Sequence, residues 1–186
     1  MSSFVVTETP LQGLALVERI RREDERGFLA RMFCKEELAI AGWNNDVAQI
    51  NHTLTVKEGT IRGMHFQLPP YAEKKLVTCL KGEVWDVAVD IREGSPTFLQ
   101  WYGEKLSADN RRSLMIPEGF AHGFQTLSPD VQMLYVHSSL YNPEYERGLN
   151  PLDKKLNIKW PQVINGMSEK DRSVLSLDSE FKGVQV

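Results

Sequence analysis

An all-β sandwich or barrel is the fold class this sequence predicts, and three observations predict it. Apolar residues alternate with period two, most clearly over Glu83–Ile91, where Trp85, Val87, Val89 and Ile91 share one face and Val84, Asp86, Ala88 and Asp90 the other. Short runs of this kind recur along the chain, parted by Gly- or Pro-bearing breaks such as Lys81-Gly82, Glu93-Gly94-Ser95-Pro96 and Pro117-Glu118-Gly119. Few helical stretches come between them.

The elements follow in order. Runs at Leu14–Ile20 and Phe28–Phe33 open the series, and Lys35–Ala41 is read as a short helix. Val47–Thr53 and Thr60–Gln67 are strands separated by the turn at Glu58-Gly59. Lys75–Leu80, Glu83–Ile91, Phe98–Lys105, Ser113–Ile116, His122–Leu127 and Gln132–Tyr141 continue the pattern. Beyond Tyr141 the alternation fades, and Pro143, Pro151 and Pro161 mark a tail of turns, about 142–186, expected to pack around the barrel or its mouth. A second short helix opens at Ser168, whose hydroxyl caps it, with Asp171 three residues on as in a weak capping box. With 186 residues, residues 1–186 are expected to form one domain.

Composition narrows the function. Hydrophobic residues are 41% and charged residues 25%, which excludes a disordered or fibrous chain. The 22 basic and 25 acidic residues leave a net charge of −3, so neither nucleic acid nor an anionic membrane is an expected partner. An anionic ligand must be met by a local cluster of Arg and Lys. No apolar run reaches the roughly 18–20 residues of a membrane span, and Met1–Pro10 has no signal-peptide character, so a cytoplasmic location is expected. Cys34 and Cys79 lie in apolar, strand-like runs and are read as small buried hydrophobes, both reduced.

Two stretches carry the chemistry: Gly59-Thr60-Ile61-Arg62-Gly63-Met64-His65-Phe66-Gln67, and Pro117 through Phe124 with His122 at its centre. They resemble the two histidine motifs of the cupin superfamily, which implies a jelly-roll barrel with short peripheral helices and an inward-facing polar site. Metal-binding cupins carry a second His where this chain has Gln67, and two imidazoles plus an amide make a poor metal site, so no metal is expected. An inward His without a metal is suited to general-base work. Arg62 and His65 are three apart and face opposite ways on a regular strand; a bulge at Gly63 re-aims one of them. Met133, Tyr135, His137, Ser139 and Tyr141 share one face, a row too polar for a simple core.

The resemblance becomes specific when further runs are added: Asp24 through Phe28, Lys75-Leu76-Val77, Gly82 through Arg92, Ser95 through Phe98, Leu134-Tyr135 and Met167 through Asp171. Their order and spacing resemble the dTDP-4-dehydrorhamnose 3,5-epimerase family from about Phe4 to Leu175. That resemblance implies an isomerase that epimerises a nucleotide-linked 4-keto-6-deoxyhexose at C3, C5 or both without a cofactor, as a homodimer, with dTDP-4-dehydro-6-deoxyglucose to dTDP-4-dehydrorhamnose as the expected conversion. By residue, it implies His65 as base, Asp171 as its carboxylate partner, Lys75 beside the ketone oxygen and Tyr135 as the acid on the far face. It implies Arg26, Gln49, Asn51, Arg62, His122, Tyr141, Glu146 and Lys170 as substrate contacts. The chain departs from the family's usual residues at Arg31, Ile50 and Leu149-Asn150-Pro151. A single-carbon epimerase or ketoisomerase on another sugar nucleotide, a non-catalytic sugar-binding cupin and a metal-dependent cupin enzyme are the alternatives.

Overall fold

The computed structural model describes residues 2–186, and its regular structure is almost wholly antiparallel strands. One sheet has six strands in the order β1 (Phe4–Glu8), β2 (Ala15–Arg19), β10 (Arg112–Ile116), β7 (Lys75–Lys81), β12 (Val131–His137) and β5 (Gln49–Thr55). The other has five, in the order β13 (Glu146–Gly148), β6 (Ile61–Gln67), β11 (Phe120–Thr126), β8 (Glu83–Asp90) and β9 (Trp101–Ser107). A separate hairpin, β3 (Arg21–Asp24) and β4 (Gly27–Ala30), pairs with neither. The helices are short: α1 (Lys35–Leu38), continued by a 3-10 turn at Ala39–Ala41, and α2 (Glu169–Arg172). Among the described residues no helix is long and apolar enough to cross a membrane.

Strand parity sorts the apolar residues into three layers. Val77, Val84, Ala88, Phe124, Met133 and Tyr135 come from both sheets and fill the space between them. The alternate residues of β8, Val87 and Val89, turn outward, where Leu149, Leu156, Trp160, Phe181 and Val184 of the tail cover them. On the six-stranded sheet Leu76, Met115 and Val136 turn outward against Leu38 and the fully buried Trp43. Each buried aliphatic side chain contributes about 1.5–3 kcal/mol, so both outer layers add to what the barrel interior supplies.

Several strands differ from their sequence expectations. The first strand, Phe4–Glu8, has no turn residue before it and is silent in the sequence. Phe98–Gln100 is a turn rather than the start of β9, with Leu99 at φ +60°. β12 ends at His137 instead of Tyr141, because the Gln67 amide donates to the Leu140 carbonyl and accepts from the Asn142 N–H, pulling the chain out of the ladder. Cys79 is buried as expected, but Cys34 is half-buried and precedes α1: β4 stops at Ala30, so the RMFC run is not a strand.

Candidate active site

A cavity of about 240 Å³ opens between the sheets, and each sheet lends it one wall. Arg62, His65, His122 and Phe124 come from β6 and β11. Gln49, Asn51, Thr53, Lys75, Tyr135 and His137 come from β5, β7 and β12. Their shared aim follows from register: Asn51 pairs with Tyr135, and Lys75 with His137.

Arg62 and His65 both reach the cavity because β6 carries the bulge. His65 pairs with His122 and Arg62 with Phe124, so three steps on β6 match two on β11. Gly63 occupies the bulge at φ +122°, and a Cβ there would lie 2.5 Å from Gly123 Cα and 2.7 Å from the His122 carbonyl oxygen. Gly63→Ala should therefore lower stability by on the order of 3 kcal/mol, read as a fall in the urea midpoint. An unchanged midpoint would show that the bulge accepts a side chain.

The tail supplies the partner of His65. Ser168 caps α2 by accepting the Asp171 N–H at 3.0 Å, which directs the buried Asp171 carboxylate back onto β6. Its Oδ1 lies 2.7 Å from His65 Nε2, and its Oδ2 accepts the Gly63 N–H at 3.3 Å. Burial pushes the Asp171 carboxyl up, but His65, the Gly63 N–H and Ser168 outweigh it and hold it below the usual range. An ionised carboxylate only accepts, so His65 Nε2 carries the hydrogen and Nδ1 keeps a lone pair.

A second histidine–carboxylate pair lies deeper. His122 Nε2 is 2.9 Å from Oδ1 of the fully buried Asp86, whose Oδ2 meets no donor among the described residues. Burial pushes the Asp86 carboxyl up against the pull of His122 and Lys75. Tyr135 stands across from His122, edge to face at 6.1 Å between ring centroids. Its phenol is buried, and burial together with the nearby Asp86 raises it well above the ordinary tyrosine value, so the hydroxyl keeps its proton at neutral pH.

The two adjacent lysines part company. Lys74 reaches outward to the Gly42 carbonyl, whereas Lys75 is buried in the cavity wall, 3.1 Å from Glu73 Oε1 and 3.4 Å from the His65 carbonyl oxygen. At the rim, Tyr141 donates to Glu146 at 2.9 Å, its own N–H donates to Gln49 at 2.8 Å, and Lys170 ion-pairs with Glu146 without lining the cavity. Although burial works against it, Lys170 and Tyr141 hold the Glu146 carboxyl below its usual range. Gln67 is spent on structure, its amide nitrogen donating to the Tyr71 and Leu140 carbonyls.

One expected contact is not brought here. Arg26 lies outside the cavity, at the tip of the β3–β4 hairpin, and its exposed guanidinium is ion-paired with Asp24. The hairpin pairs with neither main sheet, so nothing in the chain's own fold directs Arg26 inward. The three departures in sequence also lie off the cavity lining. Arg31 ion-pairs with Glu37, Ile50 faces outward, and Leu149 packs under the tail. Glu73, His137, Thr53 and Asp86 join the site without having been picked out as site residues. Strand parity had set His137 beside Tyr135, but Glu73 precedes its strand and carries no periodic signal.

The family model described as dTDP-4-dehydrorhamnose 3,5-epimerase matches residues 8–179. A dTDP-4-dehydrorhamnose 3,5-epimerase of Shigella flexneri is 45% identical over 167 residues, covering 89% of this chain and 92% of that one. Among solved structures, the enzyme of that name from Bacillus anthracis, with TDP and pyrophosphate bound, is 40% identical with a TM-score of 0.90, covering 94% of this chain and 99% of that one. The dTDP-6-deoxy-D-glucose-3,5-epimerase of Legionella pneumophila, in complex with dTDP-4-keto-L-rhamnose, is 38% identical with a TM-score of 0.89, covering 98% and 99%. The cupin-type barrel expected from the two histidine motifs is the fold found, and the chain belongs to the dTDP-4-dehydrorhamnose 3,5-epimerase family of isomerases.

Proposed function

We propose that this chain converts dTDP-4-dehydro-6-deoxyglucose to dTDP-4-dehydrorhamnose by cofactor-free proton transfer at C3 and C5. The observation that supports this reading most is the division of the cavity: His65 with Asp171 on one wall, Tyr135 and Lys75 on the other. The C4 ketone acidifies the hydrogens at C3 and C5. In this reading His65 Nδ1 takes one of them while Asp171 stabilises the imidazolium. The Lys75 ammonium faces the developing enolate oxygen. Tyr135 returns a proton from the opposite wall, and the configuration inverts. Arg62 pairs with the diphosphate, with Gln49, Asn51, His122, Tyr141, Glu146 and Lys170 around the nucleotide and sugar.

The deciding experiment is incubation with the substrate in deuterated water, with a chelator present, followed by NMR. Deuterium at both C3 and C5 is the expected result. Uptake at one carbon makes the chain a single-carbon epimerase, and binding without uptake makes it a sugar-binding protein. Uptake only after zinc, iron or manganese is restored makes it a metal enzyme.

We further infer that residues 1–186 work as one unit, as a cytoplasmic homodimer. Phe28 and Leu29 on the free hairpin and Ile50 and Leu54 on edge strand β5 are exposed apolar side chains that a second copy would cover. The hairpin then carries Arg26 to the partner's cavity. Light scattering should give twice the 21.2 kDa chain mass, and a monomer at micromolar concentration would end this reading.

A further inference from the structure

We propose that Glu73 and His137 form a positioning pair that holds the Lys75 ammonium at the substrate ketone, an inference that rests on the role given to Lys75 above. Three side chains form a chain along one wall. Lys75 Nζ lies 3.1 Å from Glu73 Oε1, and His137 Nδ1 lies 2.8 Å from Glu73 Oε2. All three line the cavity, with about a tenth or less of each side chain exposed.

The donor count explains what the arrangement does. A lysine ammonium has three N–H bonds on a flexible four-carbon stem, so its direction must be imposed from outside. One N–H points to Glu73 and a second to the His65 carbonyl oxygen at 3.4 Å, which leaves the third for a ketone oxygen in the cavity. Glu73 thus both compensates a buried charge and sets its direction.

Glu73, however, precedes β7 and has no place in the ladder. His137 fixes it. His137 is the cross-strand partner of Lys75 and lies two residues beyond Tyr135, whose ring it stacks at 6.1 Å and 20°. Burial opposes ionisation of Glu73, but Lys75 and His137 together hold its carboxyl below the usual range. The carboxylate can only accept, so His137 Nδ1 donates and Nε2 is left as an acceptor, 3.5 Å from Asn51 Nδ2. The imidazole is held at both nitrogens, and through it the sheet anchors the carboxylate that aims Lys75.

Glu73→Gln keeps the shape and removes the charge; His137→Asn keeps a donor near Nδ1, and His137→Leu removes it. With folding confirmed by thermal melting, Glu73→Gln and His137→Leu should each lower kcat for deuterium exchange by about 10–100-fold, the scale by which loss of an orienting outer partner weakens a metal-bound histidine. KM and dTDP affinity should stay within about twofold, and the double variant should be no slower than the slower single one. His137→Asn should restore most of the rate lost in His137→Leu. A Glu73→Gln variant as fast as the parent, or one that loses dTDP affinity in step with kcat, overturns the proposal. So does a His137→Asn variant as slow as His137→Leu, and this pair decides the matter if Glu73→Gln does not fold. Lys75→Ala is measured alongside. If it is fully active the role of Lys75 itself fails, whereas a slow Lys75→Ala with a fast Glu73→Gln removes only the positioning pair.

Discussion

His65→Ala and His65→Asn should abolish solvent exchange at both C3 and C5, a loss at or beyond the upper end of the roughly 10²–10⁴-fold that a positioned general base contributes. The expectation follows from the tautomer. Asp171 at 2.7 Å holds the hydrogen on Nε2, so Nδ1 keeps its lone pair on a side chain that lines the cavity. Alanine removes the base, and asparagine keeps polarity while having no basic nitrogen. The nucleotide contacts proposed for Arg62 and Lys170 lie elsewhere, so dTDP affinity by calorimetry should stay within about twofold. Exchange near the parent rate in either variant would remove His65 from the mechanism. Asp171→Asn should be less severe than loss of His65, because Asp171 orients the base rather than receiving the substrate proton.

Tyr135→Phe should separate two events that the parent enzyme couples. Inversion requires a proton from the wall opposite His65, and Tyr135 offers a buried hydroxyl held protonated by its surroundings. Without it, His65 can still remove a hydrogen and return one to the same face, so deuterium continues to enter the starting sugar. Formation of inverted product should fall by roughly 10²–10⁴-fold. The test is deuterium in recovered substrate against epimer formed in the same tube. Equal loss of both would make Tyr135 a sugar-positioning residue. Unchanged epimer formation would move the acid elsewhere, with Tyr141 next in line, although its hydroxyl already donates to Glu146.

What the sequence determined by itself is what repeats locally. Period two in β8 specifies a strand and which residues share a face, because alternate side chains on a pleated strand must face opposite sides; which face lies between the sheets is left to the tail that covers the other. Val84 and Ala88 lie between the sheets and Val87 and Val89 beneath the tail, as parity requires. The parity conflict between Arg62 and His65 was likewise visible in the sequence together with its remedy, since a glycine sits where the extra residue had to be. Local rules also gave the Ser168 cap, whose partners are three residues apart.

Tertiary structure alone decided which distant groups meet. Asp171 is 106 residues from His65, and only the cap on α2 and the tail's cover over β6 bring them to 2.7 Å. Asp86 reads in sequence as one polar member of a strand face, and its pairing with His122 depends on the β8–β11 register. Lys74 and Lys75 are indistinguishable by composition, yet Lys74, one residue before β7, reaches out to the Gly42 carbonyl, and Lys75, the first residue of β7, is buried beside Glu73. Arg26 marks the limit in the other direction: its motif is legible, but a hairpin that pairs with neither sheet leaves it outside the chain's own cavity. A pleat and a cap are set by near neighbours, whereas a site is set by contacts whose closure entropy only the assembled barrel offsets.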